Sequence, residues 1–345
     1  MAAKGTSQTC GPRWFIQPVT RIPLAAAAVV LFIHSFEGSA QVSELCKPTL
    51  KPRASGAQVA DRGFSYPVVR PAFAPGTGPK VLFDEAHLNV HTAEGRYAPF
   101  VDLLRRDGFV VEPNRSQFSG DSLASAKILV IANALAPRNR NLEWTLPARS
   151  AFSKREIDAV RNWVREGGSL FLIVDHMPIP GVAADLAREF GVFMVDGYAT
   201  DRTCSEDEFV FQRSDGTLAD HPVTRGRDAA EKVDSVRTIT GGAFRVSGAA
   251  TPVLILAPET VVLLPRTAWK FSEDTPRIAG DGMAQGAVLP FGLGRVAVFG
   301  EAAMFSAQVS GKKRRLLGMN MPTAAQNPQF LFNVMHWLSR ILPEN

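Results

Sequence analysis

The run Leu170-Phe-Leu-Ile-Val-Asp175 carries five apolar residues without polar alternation before it reaches an acid. A strand of that kind is covered on both faces, as a central strand of a parallel sheet is, and is not half open to water. Its flanks agree with this reading. Ser153 and Glu156 have the spacing of a capping box, Ile157, Val160 and Val164 recur on one helical face, and Gly167-Gly168 ends that helix before the strand begins. Beyond the strand, Asp175, His176 and Met177 fall where an open α/β sheet delivers side chains to the crevice outside its carboxyl edge.

The same alternation recurs on both sides. Strands are expected at 80–83, 109–112 and 127–132, with a helix over 93–106 whose apolar face holds Phe100, Leu103 and Leu104, and a weak helical turn at 121–126. Residues 133–152, with Trp144 and two prolines, form a long connection placed to wall the carboxyl edge. A helix over 181–190 and a strand at 192–195 follow the central strand. This βαβ rhythm predicts an α/β fold, a parallel sheet with helices on both faces. From about 197 to 289 the rhythm changes to short β pieces (208–212, 236–240, 251–256, 260–264) separated by Gly, Pro and Asp, which predicts a β-rich antiparallel insertion. A buried strand at 294–300 and a helix over 329–342 close the domain, expected to span 79–345.

At the amino terminus, Lys4, Arg13 and Arg21 precede the apolar run 23–33, and Gly38-Ser39-Ala40 supplies small residues at a cleavage position. Residues 1–40 therefore read as a secretory signal peptide, too short in its apolar part to span a bilayer as a helix. Residues 41–78, rich in Pro, Gly, Arg and Ala, read as an extended arm. Export would put Cys46 and Cys204 in an oxidising compartment, where a disulfide between them is one reading and two unrelated thiols the other. Without residues 1–40 the chain holds 35 basic against 32 acidic residues, interspersed, and its one basic cluster, Lys312-Lys313-Arg314-Arg315, lies in an expected loop. Neither feature calls for a nucleic-acid partner.

Chemistry is concentrated at three strand ends. The first carries Asp84, Glu85, His87, Asn89 and His91, the second Asp175 and His176, the third Glu301. Carboxylates and imidazoles at such positions serve as acid and base or as metal ligands, with Asp84, His87 and His176 the set that would hold a divalent ion. Structural duties compete with these roles: Asp84 accepting loop amides, Asp175 or Glu301 capping a following helical turn, and His221 shaping a turn. The first strand's acids exclude a phosphate-cradling loop, and the chain has neither a Cys-x-x-Cys pair nor a Gly-x-Ser-x-Gly elbow.

In their order, Phe83-Asp-Glu-Ala-His-Leu-Asn89, Ile131-Ala-Asn133, Trp163-Val-Arg-Glu-Gly-Gly168, the strand ending at Asp175, His221-Pro-Val-Thr224, Gly294-Arg-Val-Ala-Val-Phe-Gly300 and 333–338 cover roughly 80–342. This order resembles the class I glutamine amidotransferase-like superfamily, in particular the bacterial branch that includes gliding-motility and ABC-transporter auxiliary domains. The resemblance implies a flavodoxin-like core. A glutamine-hydrolysing member carries its nucleophilic cysteine at the turn after the central strand. Here that turn reads Asp175-His176-Met177-Pro178, so the resemblance implies a branch without that activity.

The function expected is an exported, periplasmic or secreted ligand-binding or interaction module of the bacterial envelope. It would take a small-molecule or carbohydrate ligand, or an envelope protein partner, with no stable membrane insertion once the signal is removed and no organic cofactor. The alternative is a hydrolase using a divalent metal or an acid/base pair drawn from Asp84, His87, Asp175, His176 and Glu301.

Overall fold

A computed structural model of the chain describes residues 58–139, 144–201 and 208–345. The expected signal segment, Cys46 and Cys204 lie outside the described residues. The strands in chain order are β1 (Gln58–Ala60), β2 (Lys80–Asp84), β3 (Val110–Asn114), β4 (Ile128–Ala132), β5 (Ser169–Ile173), β6 (Val192–Val195), β7 (Tyr198–Asp201), β8 (Glu208–Gln212) and β9 (Ser235–Ile239). They continue with β10 (Ala243–Val246), β11 (Thr251–Ile255), β12 (Thr260–Leu263), β13 (Arg277–Ala279), β14 (Ala284–Phe291), β15 (Gly294–Phe299), β16 (Ala307–Ser310) and β17 (Arg315–Gly318). The helices are α1 (Ala98–Arg106), α2 (Gly120–Leu123), α3 (Lys154–Arg165), α4 (Ile179–Arg188), α5 (Pro222–Arg225) and α6 (Asn327–Leu338).

Among the described residues the largest sheet has nine strands, in the order β3-β2-β4-β5-β15-β14-β10-β6 with β11 also paired to β14. The first five run parallel, and β14, β10 and β6 extend them antiparallel. Period-two geometry sends alternate residues of each parallel strand to opposite faces. Val81, Phe83, Ile128, Val130, Phe171, Ile173, Ala297 and Phe299 join one core with α1 and α6. Leu82, Leu129, Ile131, Leu170, Leu172, Val296 and Val298 join a second core with α3 and α4. Both faces are covered, so the unalternating apolar runs have the burial their composition requires. The chain is an α/β protein built on a large mixed sheet.

Boundaries moved where local chemistry overrode periodicity. The first helix starts at Ala98, after turns at 93–97, with Pro99 in its first turn, the helical position that proline tolerates. The central strand ends at Ile173, so Asp175 and His176 stand on the loop beyond it. Residues 197–289 hold the expected short strands and four that the pattern hid, β7, β10, β13 and β14. In β14, Gln285, Gly286 and Pro290 read as interruptions. Gln285 is nevertheless fully buried, accepting from Thr238 Oγ1 at 2.5 Å and donating to the carbonyls of Thr240 and Gly242.

The described part of the expected arm is fastened to the domain. β1 pairs antiparallel with β16, Phe73 meets Phe109 edge to face at 5.2 Å between ring centroids, and Tyr66 lies 6.1 Å from Phe332. The basic cluster sits exposed at the turn between β16 and β17. No helix of the described residues is long and apolar enough to cross a membrane.

Gly286 is glycine because its neighbours leave no room: a Cβ there would lie 2.6 Å from Phe299 Cε1 and 2.8 Å from Leu254 Cγ. Gly286→Ala is expected to lower stability by about 1–3 kcal/mol. Gly120→Ala, whose Cβ meets nothing within 4 Å, should stay within about 0.5 kcal/mol of the parent. Thermal melts of the two variants check this, and equal melting temperatures would refute the close approach.

Candidate functional site

The structure divides the site residues expected from sequence into two groups. Asp84, at the end of β2, is fully buried and receives His87 Nδ1, with both carboxylate oxygens 2.9 Å away. His87 Nε2 lies 2.9 Å from Glu156 Oε1. Asn89 Nδ2 donates to Asp84 Oδ2 at 3.0 Å, and Asn89 Oδ1 accepts the His87 amide. The ring of His87 is enclosed by Phe118 and Phe152, at 4.6 and 4.8 Å between centroids. Glu85 is also engaged, accepting the Ala93 amide and pairing with Arg115. These side chains spend their polarity on each other. The proposed metal set of Asp84, His87 and His176 is not brought together, and among the described residues no group of three or more His, Cys, Asp and Glu could hold a metal ion.

Glu156 links this network to the helix behind the central strand. It completes the expected capping box at the start of α3, its Oε2 accepting the Ser153 amide at 2.9 Å and the Ser153 hydroxyl at 2.7 Å. Its other oxygen faces His87. With carboxylate oxygens at both ring nitrogens, the geometry requires both to donate, which is the imidazolium form.

Asp175, His176 and Glu301 form the second group and line a crevice of about 240 Å³ at the carboxyl ends of β4, β5 and β15. Two further walls close it. One is the small sheet β1-β16-β17, which contributes Gln58, Gln308 and Leu317. The other carries Trp144 and Trp269, whose segments are joined by an antiparallel bridge between Thr145 and Thr267 and by the Ala268 amide donating to the Trp144 carbonyl at 2.8 Å. The long connection after β4 thus contributes Asn133 and Trp144 to the lining of the crevice.

Each crevice residue has a defined state. Glu301 accepts the amides of Ala303 and Met304 at 2.6 and 2.7 Å, the capping duty weighed for it from sequence. Asp175 Oδ1 accepts the His176 amide at 2.8 Å. His176 Nδ1 faces the Met177 carbonyl at 2.8 Å; a carbonyl can only accept, so in neutral His176 that nitrogen carries the proton and Nε2 is the acceptor. Its ring stacks on Tyr198 at 4.6 Å and meets Trp269 edge-on at 4.5 Å. His91 stacks on Tyr97 at 4.6 Å. Burial, helped by the charge of Arg96, pushes His91 down to about 3, so it is neutral at ordinary pH.

Three buried side chains in this lining have polar atoms without a protein partner: His91 Nδ1, Asn133 Oδ1, and both amide atoms of Gln308. Their exposures are 3%, 3% and 0%. Sequence reading passed over Arg96, Asn133, Gln308 and Trp269. Asn133 alone carried a signal, since it directly follows a buried strand. Gln308 and Trp269 reach the crevice through pairings that no local pattern announces.

The His87 network makes stability depend on pH. Burial disfavours the cation, but the hydrogen bonds and charges of Asp84 and Glu156 outweigh it and raise His87 above its ordinary value of 6.5. The network's contribution is therefore complete below pH 6.5 and is lost as pH rises through the folded-state value. Glu156 is held below its ordinary 4.5: burial opposes this, and the Ser153 and His87 bonds prevail, so its share is lost as pH falls through its own folded-state value. His87→Gln is expected to cost about 3 kcal/mol near pH 6. Denaturant melts from pH 5 to 9 should show the gap between parent and variant narrowing as pH rises; a constant gap would contradict the charged form.

No protein-family model matches the chain, and no curated protein matches it in sequence. Solved structures do match. The mmIFT52 N-terminal domain aligns with a TM-score of 0.51 at 14% identity, over 75% of this chain and 97% of that one. A cytoplasmic protein from Salmonella typhimurium aligns at 0.44 and 13% identity, over 75% and 98%. A putative ThuA-like protein from Bacteroides uniformis aligns at 0.43 and 12% identity, over 79% and 95%. At these identities the likeness concerns the fold alone.

Proposed function

We propose that this chain is an exported binding protein that holds a small polar ligand of carbohydrate type in the crevice at the carboxyl edge of its sheet. The observation that carries this reading is the set of unpartnered polar atoms on His91, Asn133 and Gln308, three buried residues that line one crevice. Leaving a buried amide or imidazole atom unpaired costs about 1–3 kcal/mol. Three such side chains on one lining are a cost that a ligand rich in hydroxyl groups repays, because each hydroxyl both donates and accepts. The indoles of Trp144 and Trp269 add apolar area beside the polar atoms, the mixture small-ligand sites use.

The core supports the same reading in its finer form, a flavodoxin-like and amidotransferase-like domain without the nucleophile. The parallel strands follow the order β3-β2-β4-β5-β15, which is the 2-1-3-4-5 order of flavodoxin-like sheets. The turn after β5 offers Asp175 and His176 and no thiol. A periplasmic or secreted location belongs to this proposal and rests on the amino-terminal pattern.

Gln308→Leu separates binding from folding. Replacing two unpaired polar atoms by an apolar group of similar size is expected to leave the melting temperature equal or higher. The same change should abolish saturation-transfer NMR signals from the monosaccharides that the parent binds, in a panel of glucose, galactose, N-acetylglucosamine, glucuronate and galacturonate. Undiminished signals in Gln308→Leu, or no signal from any sugar with the parent, would overturn the reading.

A further inference from the structure

Arg96 is the arginine of the crevice lining. Its Nε donates to the Gln58 carbonyl at 3.0 Å, and none of the ion pairs among the described residues includes it. It is partly buried. That burial lowers its pKa, against the raising influence of Asp175, so the guanidinium is desolvated beyond what its surroundings compensate. Of the two carboxylates of the lining, Glu301 accepts the amides of Ala303 and Met304, and Asp175 accepts the amide of His176. A planar guanidinium with free terminal nitrogens is suited to bidentate recognition of a carboxylate.

Resting on the reading of the crevice as a carbohydrate site, we infer that its ligand is an acidic sugar, a uronate whose carboxylate pairs with Arg96 while its hydroxyl groups meet Asn133, Gln308 and His91. The division of labour follows from what each group can do. His91 is neutral and offers a lone pair or an N–H according to tautomer, Asn133 offers a carbonyl oxygen, and Gln308 offers both a donor and an acceptor. None of these three supplies a positive charge. Arg96 does, and it stands near enough to His91 to depress the imidazole. A neutral hexose would satisfy the amides and leave the guanidinium as it is; a uronate would satisfy both.

Two matched pairs test this, glucuronate against glucose and galacturonate against galactose, each pair differing by a carboxylate in place of a hydroxymethyl group. Titration calorimetry on the parent chain is expected to give at least one uronate an affinity about tenfold or more above its neutral partner, the effect of one charge-assisted contact. Arg96→Gln should remove that preference and keep the weaker neutral binding. Arg96→Lys, which keeps the charge and loses the fork, should retain part of it. Equal affinities within both pairs, or a preference that survives Arg96→Gln, would overturn the acidic-sugar inference and leave the carbohydrate site standing. Absence of binding by all four sugars would remove the site reading together with the inference.

Discussion

Covering the parallel strands on both faces leaves this chain few places for titratable groups other than the strand ends. Inside β2, β4, β5 and β15, alternate side chains belong to one core or the other, so polar residues collect at the carboxyl edge. What becomes of them depends on what overlies each end. Above β2, Phe118 and Phe152 seal His87, and Asp84 has no exposure at all. A buried carboxylate must be paired, and the imidazole and Asn89 pair it. Above β4, β5 and β15 the cover stands back, and Asn133, Asp175, His176 and Glu301 face a crevice. One edge is thus sealed at one end and open to a crevice at the other.

Glu156 shows why half of this was legible in the sequence. Its capping box depends on a residue three positions away, and local spacing announces it. Its second bond goes to His87, 69 residues earlier. Nothing in the pattern of either segment records that partnership, so the sequence suggested metal or acid/base roles for a histidine already held by two carboxylates. The buried pair of His336 and Asp107, 2.7 Å apart and 229 residues distant in the chain, was hidden for the same reason. The apolar runs of β4 and β5 were legible because burial on both faces writes itself into consecutive residues. β14 was not. Its Gln285 and Gly286 answer to neighbours across the sheet, a side-chain hydrogen-bond network and the Phe299 ring, and along the chain they look like breaks.

The walls of the crevice follow that distinction one step further. Gln308 comes from β16, held in register with Ala60 on one side and Leu317 on the other. Trp144 and Trp269 come from segments 125 positions apart, tied by the bridge between Thr145 and Thr267. These are contacts of high sequence separation, which fold pattern alone does not specify.

They also fix the Gln308 part of the polar lining. An unpaired amide on a mobile loop turns to water or to a backbone group and costs little. Gln308 sits on a strand paired along both edges, and its fully buried side chain finds no protein partner for either amide atom. A strand so fixed keeps the amide where the small sheet puts it. The cost is borne in the folded state, ahead of any encounter, and a ligand that supplies the missing partners is spared the entropy of ordering them. Orphaned polarity on a rigid wall is poor design for stability alone and sound design for recognition.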